Sequence, residues 1–181
     1  MKHCKGIGVI IALLIVNNIF AQILKANLLV GTYTQKGSKG IYVYNFDTVT
    51  GKAIQLSHTD TCSNPSFLTI SKDRQYVYAV NETSNGMLSS FSFSNNKLTL
   101  LQQKATKGAD PCYVILSPDQ HNVFVANYSG GSITQFHRFA DGQISNAQQI
   151  VQHTGSSTNK SRQEKAHVHG TFFSPIGDYL L

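Results

Sequence analysis

Two histidines, His167 and His169, stand two residues apart near the C-terminal end of the sequence. On an extended strand, residues at that spacing project to one face. Paired imidazoles at that spacing suit metal ligation, but no third ligand is recognisable, so no metal or other cofactor is assigned. His169 suits a general base better, because imidazole exchanges its proton near neutral pH. A second set of polar residues follows short apolar runs: Asn81 and Glu82, then Asn127 and Tyr128. Other catalytic patterns are missing from the sequence. There is no Gly-x-Ser-x-Gly nucleophile elbow, no Gly-x-Gly-x-x-Gly and no phosphate loop.

The elements that must position these residues recur along the sequence. One unit opens Asn64-Pro65-Ser66-Phe67-Leu68-Thr69-Ile70-Ser71 and runs on through Tyr76-Val77-Tyr78-Ala79-Val80-Asn81-Glu82. A second opens Asp110-Pro111-Cys112-Tyr113-Val114-Ile115-Leu116-Ser117 and continues through Val123-Phe124-Val125-Ala126-Asn127-Tyr128. Ser71 and Ser117 are 46 residues apart. A third copy starts near His169 and passes Ser174-Pro175-Ile176-Gly177, while Leu28-Leu29-Val30-Gly31-Thr32-Tyr33 fits the second strand of an earlier one. Each copy reads as an apolar strand, a turn such as Ser117-Pro118-Asp119, a strand rich in Val, Tyr and Phe, a glycine-bearing turn and two further strands. Four strands in about 46 residues is one blade of a β-propeller. The predicted fold is therefore all-β, with about three blades and the start of a fourth. A propeller of seven such blades needs a longer chain, so the sequence is expected to be part of one. Aligning the copies puts Ser66, Cys112 and His169 at equivalent lead-in positions facing the channel mouth, with Glu82, Asn127 and Tyr128 beside them.

Composition narrows the function. Charged residues make up 13% of the 181-residue sequence, and the net charge is +6. No Lys/Arg run tracks a backbone, which argues against nucleic acid as a partner. Residues 1–21 read as a signal peptide: Lys2, His3 and Lys5 precede an apolar core at Ile7–Val16, and Ala21 could sit just before the cut. Asn17 and Asn18 interrupt the apolar run, so no membrane span is expected after cleavage. The mature domain would be residues 22–181, periplasmic or extracellular. Cys62 and Cys112 would then lie in a compartment that permits a bridge, yet both could equally be small buried residues.

Several stretches carry a family resemblance. Leu29-Val30-Gly31-Thr32-Tyr33-Thr34 followed by Gly40-Ile41-Tyr42-Val43-Tyr44 resembles the opening of the 6-phosphogluconolactonase-type lactonase propellers, as do Ala79-Val80-Asn81-Glu82 and Ala126-Asn127-Tyr128-Ser129-Gly130-Gly131-Ser132. The most specific stretch is Arg162-Gln163-Glu164-Lys165-Ala166-His167-Val168-His169, with Ala166 where the family usually has proline. The resemblance implies a seven-bladed fold, monomeric at full length, that hydrolyses 6-phosphogluconolactone or a related sugar lactone. It also implies that His169 is the catalytic histidine and that His167 and Arg162 lie in the substrate loop. The family's remaining arginines and glutamate belong to later blades. A non-catalytic, surface-repeat type of propeller that binds protein or glycan is the other reading, since Tyr76-Val77-Tyr78-Ala79-Val80-Asn81 resembles those repeats as well.

Overall fold

A computed structural model describes residues 25–181. The expected leader, residues 1–21, lies outside the described residues. Three antiparallel sheets follow one another along the chain. Sheet 1 holds β1 (Lys25–Gly31), β2 (Ile41–Asp47) and β3 (Ala53–Thr59). Sheet 2 holds β4 (Leu68–Ile70), β5 (Tyr76–Asn81), β6 (Met87–Ser94) and β7 (Lys97–Ala105). Sheet 3 holds β8 (Pro111–Leu116), β9 (Asn122–Asn127), β10 (Ser132–His137) and β11 (Gln149–Gln152). Among the described residues the only helical element is a single 3-10 turn at Gln35–Gly37, and no helix is long and apolar enough to cross a membrane.

The strand β5 shows why the sheets stack. Its side chains alternate between two cores, as the period of two requires. Val77 and Ala79 pack with Ile41, Cys62 and Phe91. Tyr78 and Val80 pack with Leu88, Val114, Val123, Val125 and Phe136. Both faces of sheet 2 are thus covered, one by sheet 1 and the other by sheet 3. Each fully buried Val, Leu or Phe in these layers stabilises the stack by about 1.5–3 kcal/mol relative to exposure. The cysteines do not pair: Cys62 is buried between sheets 1 and 2, and Cys112 lies half-buried at the end of sheet 3. Burial pushes the Cys62 thiol up to about 12.

The turn between the first and second strand of each unit repeats bond for bond. The Ser71 amide donates to the Tyr76 carbonyl, that of Ser117 to Asn122, and that of Ser174 to Tyr179. The hydroxyls of Ser71 and Ser117 each lie 2.5 Å from a carboxylate oxygen, of Asp73 and Asp119 respectively. The fourth residue of each turn has positive φ: Arg74 at 60°, Gln120 at 66° and Gly177 at 83°. Neighbouring turns touch, because the Lys72 amide donates to Gln120 Oε1 at 2.9 Å.

The spacing departs from the expected regularity once. Ser117 and Ser174 are 57 residues apart rather than 46. Most of the excess falls between β11 and His167, in the loop of residues 153–166. That loop is tied internally by amide donation from Ser157 to Gln163 O and from Gln163 to Asn159 O. Its root is held by Gln152, whose Nε2 carries two protons and lies 3.0 to 3.1 Å from the carbonyl oxygens of Gly130, Gly131 and His153. The closing strand β7 takes up a bulge opposite Ser90 and Phe91, with Leu101 as the extra residue.

Candidate active site

The lead-in segments and strand ends meet through the backbone. The Glu82 amide donates to Asn64 O at 3.0 Å, and the Tyr128 amide to Asp110 O at 2.9 Å. Asn64 and Asp110 adopt φ of 47° and 51°, a left-handed conformation that Asn and Asp tolerate better than other side chains. The chain is thereby turned so that Ser66 and Cys112 follow beside the ends of β5 and β9. His167 and His169 occupy the same two places, counted back from Ser174, as Asn64 and Ser66 do from Ser71.

Around this mouth the side chains form one run of neighbours. Tyr33 donates its hydroxyl to Glu82 Oε2 at 2.8 Å, and the Ser66 hydroxyl donates to the same oxygen. The Glu82 hydrogen bond, some burial and the carboxylate's charge hold the Tyr33 hydroxyl above its ordinary value. Burial, and then the nearby Glu82 charge, push the Cys112 thiol up to about 11. Cys112 Sγ lies 3.5 Å from the His169 carbonyl and 3.8 Å from that of Val168. Tyr128 then stacks on His167 at 4.4 Å between ring centroids and meets His169 edge-on at 5.5 Å.

The two histidines have different situations. His167 Nδ1 lies 3.1 Å from the Tyr128 carbonyl oxygen. A carbonyl only accepts, so that nitrogen carries the proton. Its Nε2 lies 3.4 Å from Glu164 Oε1. Hydrogen bonding to its own backbone amide, and then the facing His167, hold the Glu164 carboxyl below its ordinary range despite slight desolvation. Nδ1 of His167 is therefore spent on the Tyr128 carbonyl, while Nε2 faces the Glu164 carboxylate. Among the described residues no group of three or more His, Cys, Asp and Glu is placed to hold one. The His169 side chain is exposed, and no hydrogen bond to its ring occurs among the described residues.

A match to the family described as lactonase, 7-bladed β-propeller spans residues 27–181. The chain belongs to the seven-bladed β-propeller lactonases. Among curated relatives of this lactonase-family chain, the 6-phosphogluconolactonase of Formosa agariphila is 31% identical over 85% of this chain and 45% of its own length. That of Bacillus subtilis is 29% identical over 84% and 44%. A candidate 6-phosphogluconolactonase of Bacteroides fragilis superposes with a TM-score of 0.84 at 41% identity, over 89% of this chain and 46% of that one. A periplasmic gluconolactonase of Pseudomonas aeruginosa superposes with a TM-score of 0.77 at 37% identity, over 85% and 46%. The chain spans a little under half the length of these relatives.

The remaining residues expected at the lactonase site are distributed unevenly. Arg162 is exposed on the long loop and lines, with Tyr128, Lys165 and His167, a cleft of about 370 Å³. Glu82 and Tyr128 stand at the mouth. Asn127 does not: it is fully buried, its Nδ2 donating to Ser132 and to Thr134 Oγ1 at 3.0 Å. Asn81 is also tied to the third strand, but as an acceptor: its Oδ1 takes the Ser89 hydroxyl proton at 2.6 Å. These asparagines bind the second strand of a blade to its third. Tyr33 was not among the residues that the sequence pointed to. Its signal lay in the alignment, since Thr32-Tyr33-Thr34, Asn81-Glu82-Thr83 and Asn127-Tyr128-Ser129 close equivalent strands.

Proposed function

We propose that this chain contributes the first part of a lactone hydrolase site, acting on 6-phosphogluconolactone or a related sugar lactone outside the cytoplasm. The observation that supports it most is the state of His169. Its ring projects at the mouth, is steadied against Tyr128, and makes no hydrogen bond among the described residues. Such an imidazole is free to take a proton from water. The water oxygen attacks the lactone carbonyl carbon, and the ring carbon–oxygen bond then breaks. The proton held by His169 passes to the departing alkoxide, leaving the open-chain acid.

The neighbours support this role unequally. Tyr128 limits where the His169 ring can turn. His167 binds the Tyr128 carbonyl and so positions that residue, while Arg162 carries positive charge toward a substrate's anionic group. Asn127 acts from behind by fixing the strand end. Stabilisation of the developing oxyanion is usually the larger part of such catalysis, and it falls to blades in the part of the relatives that this chain does not span. Export follows from the leader-like residues 1–21 and agrees with the periplasmic location of the Pseudomonas aeruginosa neighbour.

The test is lactone opening, corrected for spontaneous hydrolysis, by a chain extended to the length of the relatives. His169→Ala should lower kcat/KM by about 10²–10⁴, the usual contribution of a general base. Retention of activity within about threefold would remove His169 from the mechanism. Lactone opening by the 181-residue chain as fast as by the extended one would place the whole site in these blades. Absence of activity from the extended chain would favour the non-catalytic propeller.

A further inference from the structure

Glu82 is more elaborately held than a surface carboxylate needs to be. Two hydroxyls from different places, Tyr33 at the end of β1 and Ser66 in the lead-in of sheet 2, donate to its Oε2. Its Oε1 accepts no hydrogen bond among the described residues. Each hydroxyl has one proton, and both are spent on the carboxylate. What the cluster shows to the mouth is therefore acceptors alone: Oε1 and the lone pairs of Tyr33 Oη and Ser66 Oγ. Such a surface favours ligands rich in hydroxyl donors and disfavours anions.

The opposite end of the same run of residues has the other polarity. Beyond Cys112 and His169, the cleft beside Tyr128 and His167 is lined by Arg162 and Lys165. No carboxylate is among its lining residues, and the neighbouring Glu164 faces His167 instead. Taking the lactonase reading above as its basis, we propose that the mouth is polar in direction. Tyr33, Ser66 and Glu82 form a subsite for the hydroxyl-bearing part of a sugar lactone. The loop carrying Arg162 and Lys165 takes its anionic end, which leaves the ring carbonyl between them, at His169. Opening the ring creates a carboxylate, and repulsion from Glu82 then biases the product to leave.

The experiment uses ligands that cannot hydrolyse, titrated into the 181-residue chain and followed by calorimetry and amide NMR. The ligands are a polyhydroxylated δ-lactam, the bare δ-valerolactam and a phosphorylated polyol. Glu82→Gln keeps an acceptor for Tyr33 and Ser66 but removes the charge. It should weaken the polyhydroxylated lactam about tenfold, the lower range for a hydrogen bond to a charged group, and leave δ-valerolactam unchanged. Tyr33→Phe should act in the same direction, and Arg162→Ala should weaken only the phosphorylated ligand. A merely structural Glu82 would move the thermal midpoint without moving the ratio between the two lactams. The proposal is overturned if wild-type protein binds both lactams alike, or if Glu82→Gln changes the polyhydroxylated one less than about twofold. The lactonase reading fails separately. In that case polyol binding would still depend on Glu82, while His169→Ala in the extended chain would leave lactone opening intact.

Discussion

Replacing Tyr78 by Phe removes one oxygen atom from the layer between sheets 2 and 3 and leaves the ring packing in place. That hydroxyl donates to the Gly142 carbonyl at 3.0 Å and accepts from Arg138 Nε at 2.8 Å. Gly142 is buried, and the Arg138 side chain is only 11% exposed. Arg138 would keep its position over the Tyr76 ring, 5.2 Å from the centroid. It would also keep a long contact to Gln120 O at 3.4 Å and a distant Asp73 at 4.0 Å. None of these replaces the lost acceptor at Nε. A buried group left without its partner costs about 1–3 kcal/mol, and the charged donor lies toward the upper end. The expected loss is about 3 kcal/mol in all. With a urea m-value of about 2 kcal/mol/M, the unfolding midpoint falls by about 1.5 M. Burial, partly offset by Arg138, pushes the Tyr78 hydroxyl up from 10.0 to about 12. A raised value means that the native state holds the proton more tightly than the unfolded chain does. This contribution is complete below pH 10.0 and is lost as pH rises toward about 12. The Phe variant should lack that alkaline component. A midpoint shift under about 0.3 M would refute the claim that this hydroxyl bridges two layers.

Ser71→Ala and Ser117→Ala should each cost about 1 kcal/mol in urea unfolding, because each removes a hydroxyl that donates to the turn aspartate and accepts from the amide of Tyr76 or Asn122; a marked difference would break the equivalence of the two turns. The Asp73 and Asp119 carboxyls are held below their ordinary value, first by the serine hydroxyl and then by backbone amides of Gln75 and His121. Their contribution is therefore present above the usual carboxylate range and is lost as pH falls below it. Asp73→Asn should flatten the acid limb of a midpoint-against-pH curve, and an unchanged limb would count against this. Thiol alkylation near neutral pH should modify Cys112 before Cys62, since both are raised but Cys62 is the more buried. Peptide mapping that finds Cys62 labelled first, or a bridge between the two, would contradict the structure.

The blades were legible because their turns are chemically constrained. Ser-x-Asp followed by a positive-φ residue is demanded by one set of hydrogen bonds, so it recurs in the sequence at Ser71 and Ser117. The loop of residues 153–166 obeys no such constraint. Its length could be counted, but its path depends on distant groups such as the carbonyls that Gln152 bonds. At the site, the position of His169 followed from the repeat. The distinction between His167 and His169 did not, since it rests on a contact to the Tyr128 carbonyl 39 residues away. Asn127 shows the reverse failure. A polar residue at a strand end near the mouth suggests a ligand contact, but β10 supplies its hydroxyl partners from within the sheet. Tyr33 was hidden because its partner, Glu82, is 49 residues distant and in the next blade.

The placement of β5 between two cores has a bearing on how the protein opens. If sheet 1 fluctuates away, Tyr78 and Val80 stay packed against sheet 3; if sheet 3 moves, Val77 and Ala79 stay packed against sheet 1. No single sheet motion exposes the β5 backbone, whose amides and carbonyls are paired with β4 on one side and β6 on the other. Solvent deuterium therefore reaches these amides only when both neighbours are lost together, whereas β3 and β11 exchange through opening of one sheet. Of the three described sheets, sheet 2 acts as the slowest-exchanging unit, and the protection of its amides reports the free energy that joins it to its neighbours rather than the strength of any one sheet.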